Sequence, residues 1–140
     1  LIKIASELAV GKRDEMSVRG TDYPTPDGTC VRDYIHVLDL ADAHEKLLSY
    51  LLKGGASDTF NCGYGRGYSV LDVIGELENI CGKRLNIKSG DRRAGDAVAW
   101  VSDCDKIKDK LGWKPKHDNL NKIITSAINW ENYLLAIKPV

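Results

Sequence analysis

The feature that most limits what this chain can fold into is the shortness of its strand-like runs. Apolar residues recur at helical spacing over several stretches. The β-prone segments between them are Met16 to Val18, "DTFNCG" at 58–63 and "LNIKSG" at 85–90. Runs this short do not make a self-sufficient sheet. "DTFNC" is therefore expected to pair with strands outside this sequence. The reading is a mixed α/β layout, helix-rich, with two to four short strands and no internal repeat.

The helices carry their own punctuation. Ile2 to Val10 reads as the end of a helix stopped by Gly11, with Ile4, Ala5, Leu8 and Ala9 on one face. Val37 to Lys53 repeats Leu40, Ala43, Leu47 and Leu51 at helical spacing and ends at Gly54-Gly55. Ser69 to Cys81 opens on a capping box, Ser69 with Asp72 three residues on, and buries Val70, Val73, Ile74, Leu77 and Ile80. Asp103 to Leu111 is a short helix closed by Gly112. The last helix, Leu120 to Leu135, has Ile123, Ile124, Ala127, Ile128, Leu134 and Leu135 on its apolar side. "GTDYPTPDGT" at 20–29 is dense in turn residues, and loops of this length are often functional.

The 20 basic and 20 acidic residues cancel, which is not the footprint of a nucleic-acid binder, so any anion must be held by local arginines. No apolar run approaches the ~20 residues that span a bilayer. No signal-peptide pattern is visible, and with Leu1 as its first residue the chain is expected to be a fragment or a processed product. Cys30, Cys62, Cys81 and Cys104 form no CxxC pair, which favours free thiols in a reducing, cytoplasmic setting.

Several residue types suggest chemistry. Gly63, Gly65 and Gly67 sit between a strand and a helix, where a dinucleotide loop would lie. The third glycine of G-x-G-x-x-G falls on Tyr68 or Val70, so a loop that allows close approach of another group is the better reading. Arg32, Arg92 and Arg93 with Asp96 would suit a diphosphate and sugar hydroxyls if they shared a cleft, and otherwise read as a solvated surface. Tyr34 is compatible with an acid–base group, a ligand contact or a packed side chain. His36 and His44 lack the companions of a metal set and read as structural or exposed. Asp39 lies in a first helical turn, where the macrodipole alone accounts for it.

Longer strings are more specific. "GTDYPTPDGTCVRDYIHVLDLADAH" resembles the corresponding segment of UDP-glucose 4-epimerases, members of the extended short-chain dehydrogenase/reductases. "FNCGYGRGYSVLDVI", "RRAGDAVAWVSDCDKIKDKLGWKPK" and "LIKIASELAVGKRDEMSVRG" are similar to further family segments, in family order, from residue 1 to about Tyr133.

The resemblance implies a carboxyl-terminal, UDP-sugar-binding region over residues 1–140 of an extended Rossmann-type enzyme. The amino-terminal NAD-binding domain would then lie outside this chain, with residues 34–62 packing onto it. No Tyr-x-x-x-Lys pair occurs here, so the chain alone is expected to be inactive.

By position, the resemblance assigns Arg32 and Arg93 to the UDP diphosphate and Asp96 to the ribose hydroxyls. Tyr34 would line the phosphate site, Val70 would pack beside the nucleotide, and Ser17, Val18 and Arg19 would run along the uracil. The family often has Phe where Arg19 stands. Trp100 falls where family members limit the sugar pocket, favouring UDP-glucose and UDP-galactose over N-acetylated sugars.

The implied reaction is NAD-dependent 4-epimerisation through a 4-keto sugar. Neither a nucleic-acid nor a membrane partner is expected, and the complete protein is read as a homodimer. The competing readings are a related nucleotide-sugar dehydratase, decarboxylase or epimerase, and a non-catalytic nucleotide-sugar-binding domain.

Overall fold

A computed structural model describes residues 1–137. The elements run α1 (Ile2–Ala9), β1 (Met16–Arg19), β2 (Val31–Arg32), α2 (Val37–Leu52), β3 (Tyr68–Ser69), α3 (Val70–Cys81), β4 (Ile87–Gly90), β5 (Ala99–Trp100), α4 (Asp105–Leu111) and α5 (Leu120–Ala136). The α/β, helix-rich layout with short strands is as expected from the sequence. No helix of the described residues is long and apolar enough to cross a membrane.

The larger core is helical. β1 and β4 pair in parallel, Met16 opposite Ile87 through Arg19 opposite Gly90. α1, α3 and α5 pack around this pair and bury Ala5, Leu8, Val18, Val73, Leu77 and Ile124. The small side chains of Ala5 and Ala9 let the neighbouring helices approach α1 closely. α3 starts where its capping box predicts: Ser69 Oγ accepts from the Asp72 amide at 2.9 Å and the Asp72 carboxylate accepts from the Ser69 amide at 2.9 Å. It stops at Gly82, whose φ of 66° is left-handed.

The smaller core lies under α2 and α4 and consists of Ala43, Cys104, Ile107 and Trp113. Asp39 organises it, and here the dipole explanation needs correcting. Its side chain is 2% exposed. Oδ2 accepts from the Tyr64 hydroxyl at 2.6 Å and the His117 amide at 2.8 Å, and Oδ1 accepts from the Lys116 amide at 2.9 Å. The Asp39 carbonyl accepts from Trp113 Nε1 at 3.2 Å. A buried carboxylate needs such donors, and these come from segments the local sequence does not reveal.

Between the cores, β2 pairs antiparallel with β3 and parallel with β5. β2, β3 and β5 are two residues each, below what residue pattern can signal, and were not expected. "DTFNCG" is not a strand among the described residues.

Three apolar assignments also change. Ile4, Leu51 and Leu135 are exposed by 39%, 45% and 46%. On α5 the buried face is completed by Glu131, whose carboxylate takes Lys12 Nζ at 2.8 Å together with Lys3 Nζ.

His36 caps α2, its Nδ1 accepting the Leu38 amide at 3.1 Å, and its ring stacks on His117 with centroids 4.5 Å apart. Burial, then the neighbouring His117, lower its pKa, against the opposing pull of Asp39. A histidine with a depressed folded pKa takes up protons more readily when unfolded. Its contribution to stability is therefore complete above the unfolded value of about 6.5 and is lost as pH falls below it. Denaturant midpoints are expected to drop as pH falls below about 6.5. His36→Asn, which keeps a cap acceptor that does not titrate, should shrink that drop. An undiminished drop in the variant would remove His36 as its source.

Candidate functional site

β1, the start of α3 and the loop between β4 and β5 meet at an open cleft of about 380 Å³. That is within the usual size of a small-molecule site, roughly 300–1,000 Å³. Ser17, Val18, Arg19, Val70, Arg93 and Asp96 all line it. Along β1 the side chains alternate, Met16 and Val18 inward, Ser17 and Arg19 outward. Among the described residues β1 pairs only with β4, so its other edge leaves backbone groups available on the cleft side.

The arginines divide by role. Arg92 is held by loop 20–29: its Nε donates to Asp22 Oδ1 at 2.7 Å and its guanidinium lies over the Tyr23 ring, 4.2 Å from the centroid. Arg93 lines the cleft, and neither it nor Arg19 has a carboxylate partner among the described residues. Arg32 stands beside this wall. Its Nη1 donates to the Val31 carbonyl at 2.7 Å and its Nη2 reaches Asp96 Oδ1 at 3.3 Å. The Asp96 amide in turn donates to the Arg93 carbonyl at 3.2 Å. Two unpaired guanidiniums and a loosely paired third are what a doubly charged, oxygen-rich ligand needs.

Three of the nine sequence-derived residues stand apart from the cleft lining: Arg32, just described, Tyr34 and Trp100. Tyr34 is half-buried against the larger core. Burial, and next the Cys30 thiol, push its phenol up to about 12 against the opposing effect of Arg32. Tyr34 is therefore a hydrogen-bond donor at neutral pH, not a general base. Trp100 lies opposite Arg32 across the β2–β5 pairing, 68% exposed. It lines an adjoining open depression of about 500 Å³ with Arg32, Asp33, Asn61 and Ser102.

The glycine loop does not fit a dinucleotide. Gly65 has φ of 75°, and the amides of Tyr64 and Gly65 donate to the Asp33 carboxylate at 3.0 and 2.9 Å, joined by Ser102 N at 3.3 Å. A Cβ at Gly63 would lie 2.5 Å from Asp33 Oδ2. The donors that would cradle a pyrophosphate already hold an internal anion.

Thiol and metal chemistry find no support either. All four cysteines are free, and burial, followed by Cys104, pushes the Cys62 thiol up to about 11. Among the described residues no cluster could hold a metal ion.

Asp33, together with Asp27 and Thr29 before β2, went unnoticed in the sequence as site-building residues. The signal was present in "PDGT", since an aspartate two residues before a threonine is a turn-forming pair.

The fold is that of the carboxyl-terminal, substrate-binding part of the extended short-chain dehydrogenase/reductases. The family model described as GDP-mannose 4,6 dehydratase matches residues 1–125, and the chain belongs to this family.

Named relatives agree with the resemblance to UDP-glucose 4-epimerases. The UDP-glucose 4-epimerase of Azospirillum brasilense is 51% identical over 134 residues, 96% of this chain and 38% of that protein. The UDP-Glc/GlcNAc 4-epimerase of Campylobacter jejuni superposes with a TM-score of 0.83 at 45% identity, over 94% of this chain and 40% of that one. The Bifidobacterium longum UDP-glucose 4-epimerase in complex with NAD+ and UDP gives 0.84 at 38% identity, over 95% and 39%. The chain thus spans about two fifths of the length of the relatives it matches.

Asp33→Ala would leave the Tyr64, Gly65 and Ser102 amides without their acceptor. It is expected to cost at least about 2 kcal/mol in urea denaturation, the scale of one or two unsatisfied polar groups. A loss under about 0.5 kcal/mol would mean that water replaces the carboxylate.

Proposed function

We propose that this chain forms the UDP-anchoring part of a UDP-glucose 4-epimerase, an isomerase that interconverts UDP-galactose and UDP-glucose. The observation that carries this reading is the convergence of Ser17, Val18, Arg19, Val70, Arg93 and Asp96 on one cleft, with Arg32 joined to it through Asp96. Arg93 and Arg32 bind the diphosphate, Tyr34 donates to it, Asp96 accepts from ribose hydroxyls, and the open edge of β1 meets the uracil. Arg19 takes the place of an aromatic by laying its guanidinium plane along the base. Trp100, beside Arg32, bounds the hexose. NAD belongs to the rest of the full-length enzyme, and this chain's part is to hold the nucleotide while the sugar reacts. Firm hold on a remote, unreacting group is a recognised use of binding energy.

The same reading extends to α2. Val37, Leu38, Leu48, Leu51 and Leu52 are exposed along it. An apolar helix face of this kind supports packing of residues 34–62 against the NAD-binding domain.

In the full-length enzyme, Arg93→Ala or Arg32→Ala is expected to weaken UDP binding by roughly 1.5–3 kcal/mol by calorimetry, the scale of a charge-assisted hydrogen bond. Arg92→Ala, whose side chain serves loop 20–29, should bind UDP as the parent does. Equal losses at Arg92 and Arg93 would discard the division of roles. Trp100→Cys is expected to raise turnover of UDP-N-acetylglucosamine relative to UDP-glucose, and an unchanged ratio would count against Trp100 as the hexose boundary.

A further inference from the structure

Loop 20–29 is the densest turn region of the chain, and the UDP reading does not use it. Its end is wired into the start of α3. The Asp27 carboxylate accepts on Oδ1 from the Thr29 amide and the Thr29 hydroxyl, each at 2.8 Å, and on Oδ2 from the Ser69 hydroxyl. Thr29 is fully buried. Because its proton goes to Asp27, Thr29 Oγ1 presents lone pairs to the amides of Val70 at 3.1 Å and Leu71 at 3.4 Å. Ser69, likewise donating to Asp27, accepts the Asp72 amide at 2.9 Å. One carboxylate therefore orients two hydroxyls, and the two hydroxyls serve the first three amides of α3.

Burial raises the Asp27 pKa, but the hydrogen bonds from Ser69 and Thr29 outweigh it, and the carboxyl titrates below its ordinary value. It is ionised at neutral pH.

The two ends of this network carry the cleft. Val70, the first residue of α3, lines it, and Cys30, Val31 and Arg32 follow Thr29 directly. The Cys30 carbonyl also accepts from Val70 N at 3.1 Å. β2 and β3 are two residues each, with Val31 opposite Ser69 and Arg32 opposite Tyr68. So short a ladder does not by itself hold Arg32 at a defined distance from Val70.

We propose that Asp27 and Thr29 are positioning residues of the nucleotide cleft, fixing the Arg32 strand against the Val70 end of α3 without touching the ligand. The inference rests on the UDP-anchoring reading. Replacing the carboxylate by a carboxamide puts a donor where one of the two hydroxyls now donates. That hydroxyl must turn, and it stops serving α3.

The test uses the full-length enzyme and UDP as the probe, at a temperature well below melting. Asp27→Asn and Thr29→Val are each expected to raise the UDP dissociation constant about tenfold and the KM for UDP-galactose in parallel, with kcat within about twofold, the signature of lost uniform binding. Thr29→Ser keeps the hydroxyl and should bind like the parent. If Asp27→Asn does not purify as a folded protein, the Thr29→Val and Thr29→Ser pair decides alone.

Parental UDP affinity in Asp27→Asn or Thr29→Val, with only a lowered melting temperature, overturns the proposal, as does Thr29→Ser losing as much affinity as Thr29→Val. Arg93→Ala separates the two claims. If it weakens UDP binding while Thr29→Val does not, only the positioning role fails. If Arg93→Ala leaves UDP affinity unchanged, the anchoring reading fails, and this inference with it.

Discussion

A strand of two residues makes too few hydrogen bonds to fix its neighbours, and among the described residues three of the five strands are that short. The missing acceptors are supplied by carboxylates placed just before and after β2. Asp27 organises the start of α3, Asp33 gathers the Tyr64, Gly65 and Ser102 amides, and Asp39 gathers Tyr64, Lys116 and His117. All three lie within thirteen residues of chain, 27 to 39, and reach segments far away in sequence. Tyr64 touches two of them, its amide on Asp33 and its hydroxyl on Asp39, so the glycine loop is bound at both ends of one residue. β2 is thereby the seam along which the two hydrophobic cores are joined.

The same economy of sheet shapes the cleft. A wider β1–β4 sheet would cover the edge of β1 with another strand. The narrow pair leaves that edge and the alternating Ser17 and Arg19 available to a ligand. Charge is apportioned by geometry and not by net balance. Arg92 and Arg93 are adjacent in sequence, yet one is stacked on Tyr23 and paired with Asp22 while the other lines the cleft. Which of two neighbouring arginines faces a ligand is decided by what packs behind the loop.

Much of the helical framework was legible. Residue pattern located the five helices of the described residues, the Ser69–Asp72 box and Gly112 marked ends, and β1 and β4 emerged from short β-prone runs. Failures cluster where tertiary contacts overrule local pattern. Glu131 is charged, yet it sits on the buried side of α5 because Lys3 and Lys12 come to it from α1 and the turn after it. Leu51 follows the helical repeat perfectly and is still exposed, since nothing among the described residues covers that end of α2. The candidate site was legible only as residue types and family resemblance. Spacing alone left the arginines as a solvated alternative, because convergence of residues 17–19, 70 and 93–96 is a property of the packed helices and not of any one segment.

The closed start of α3 has one further consequence. Helix starts often attract phosphates through amides whose partial charge is fixed in the backbone. Here those amides already answer to Thr29 and Ser69. The diphosphate proposed for this cleft would then rely mainly on the solvent-accessible guanidinium groups of Arg32 and Arg93, and attraction of that kind is screened by dissolved ions. On the UDP-anchoring reading, nucleotide retention would accordingly be tied to ionic strength, more so than in a site built on a helix start.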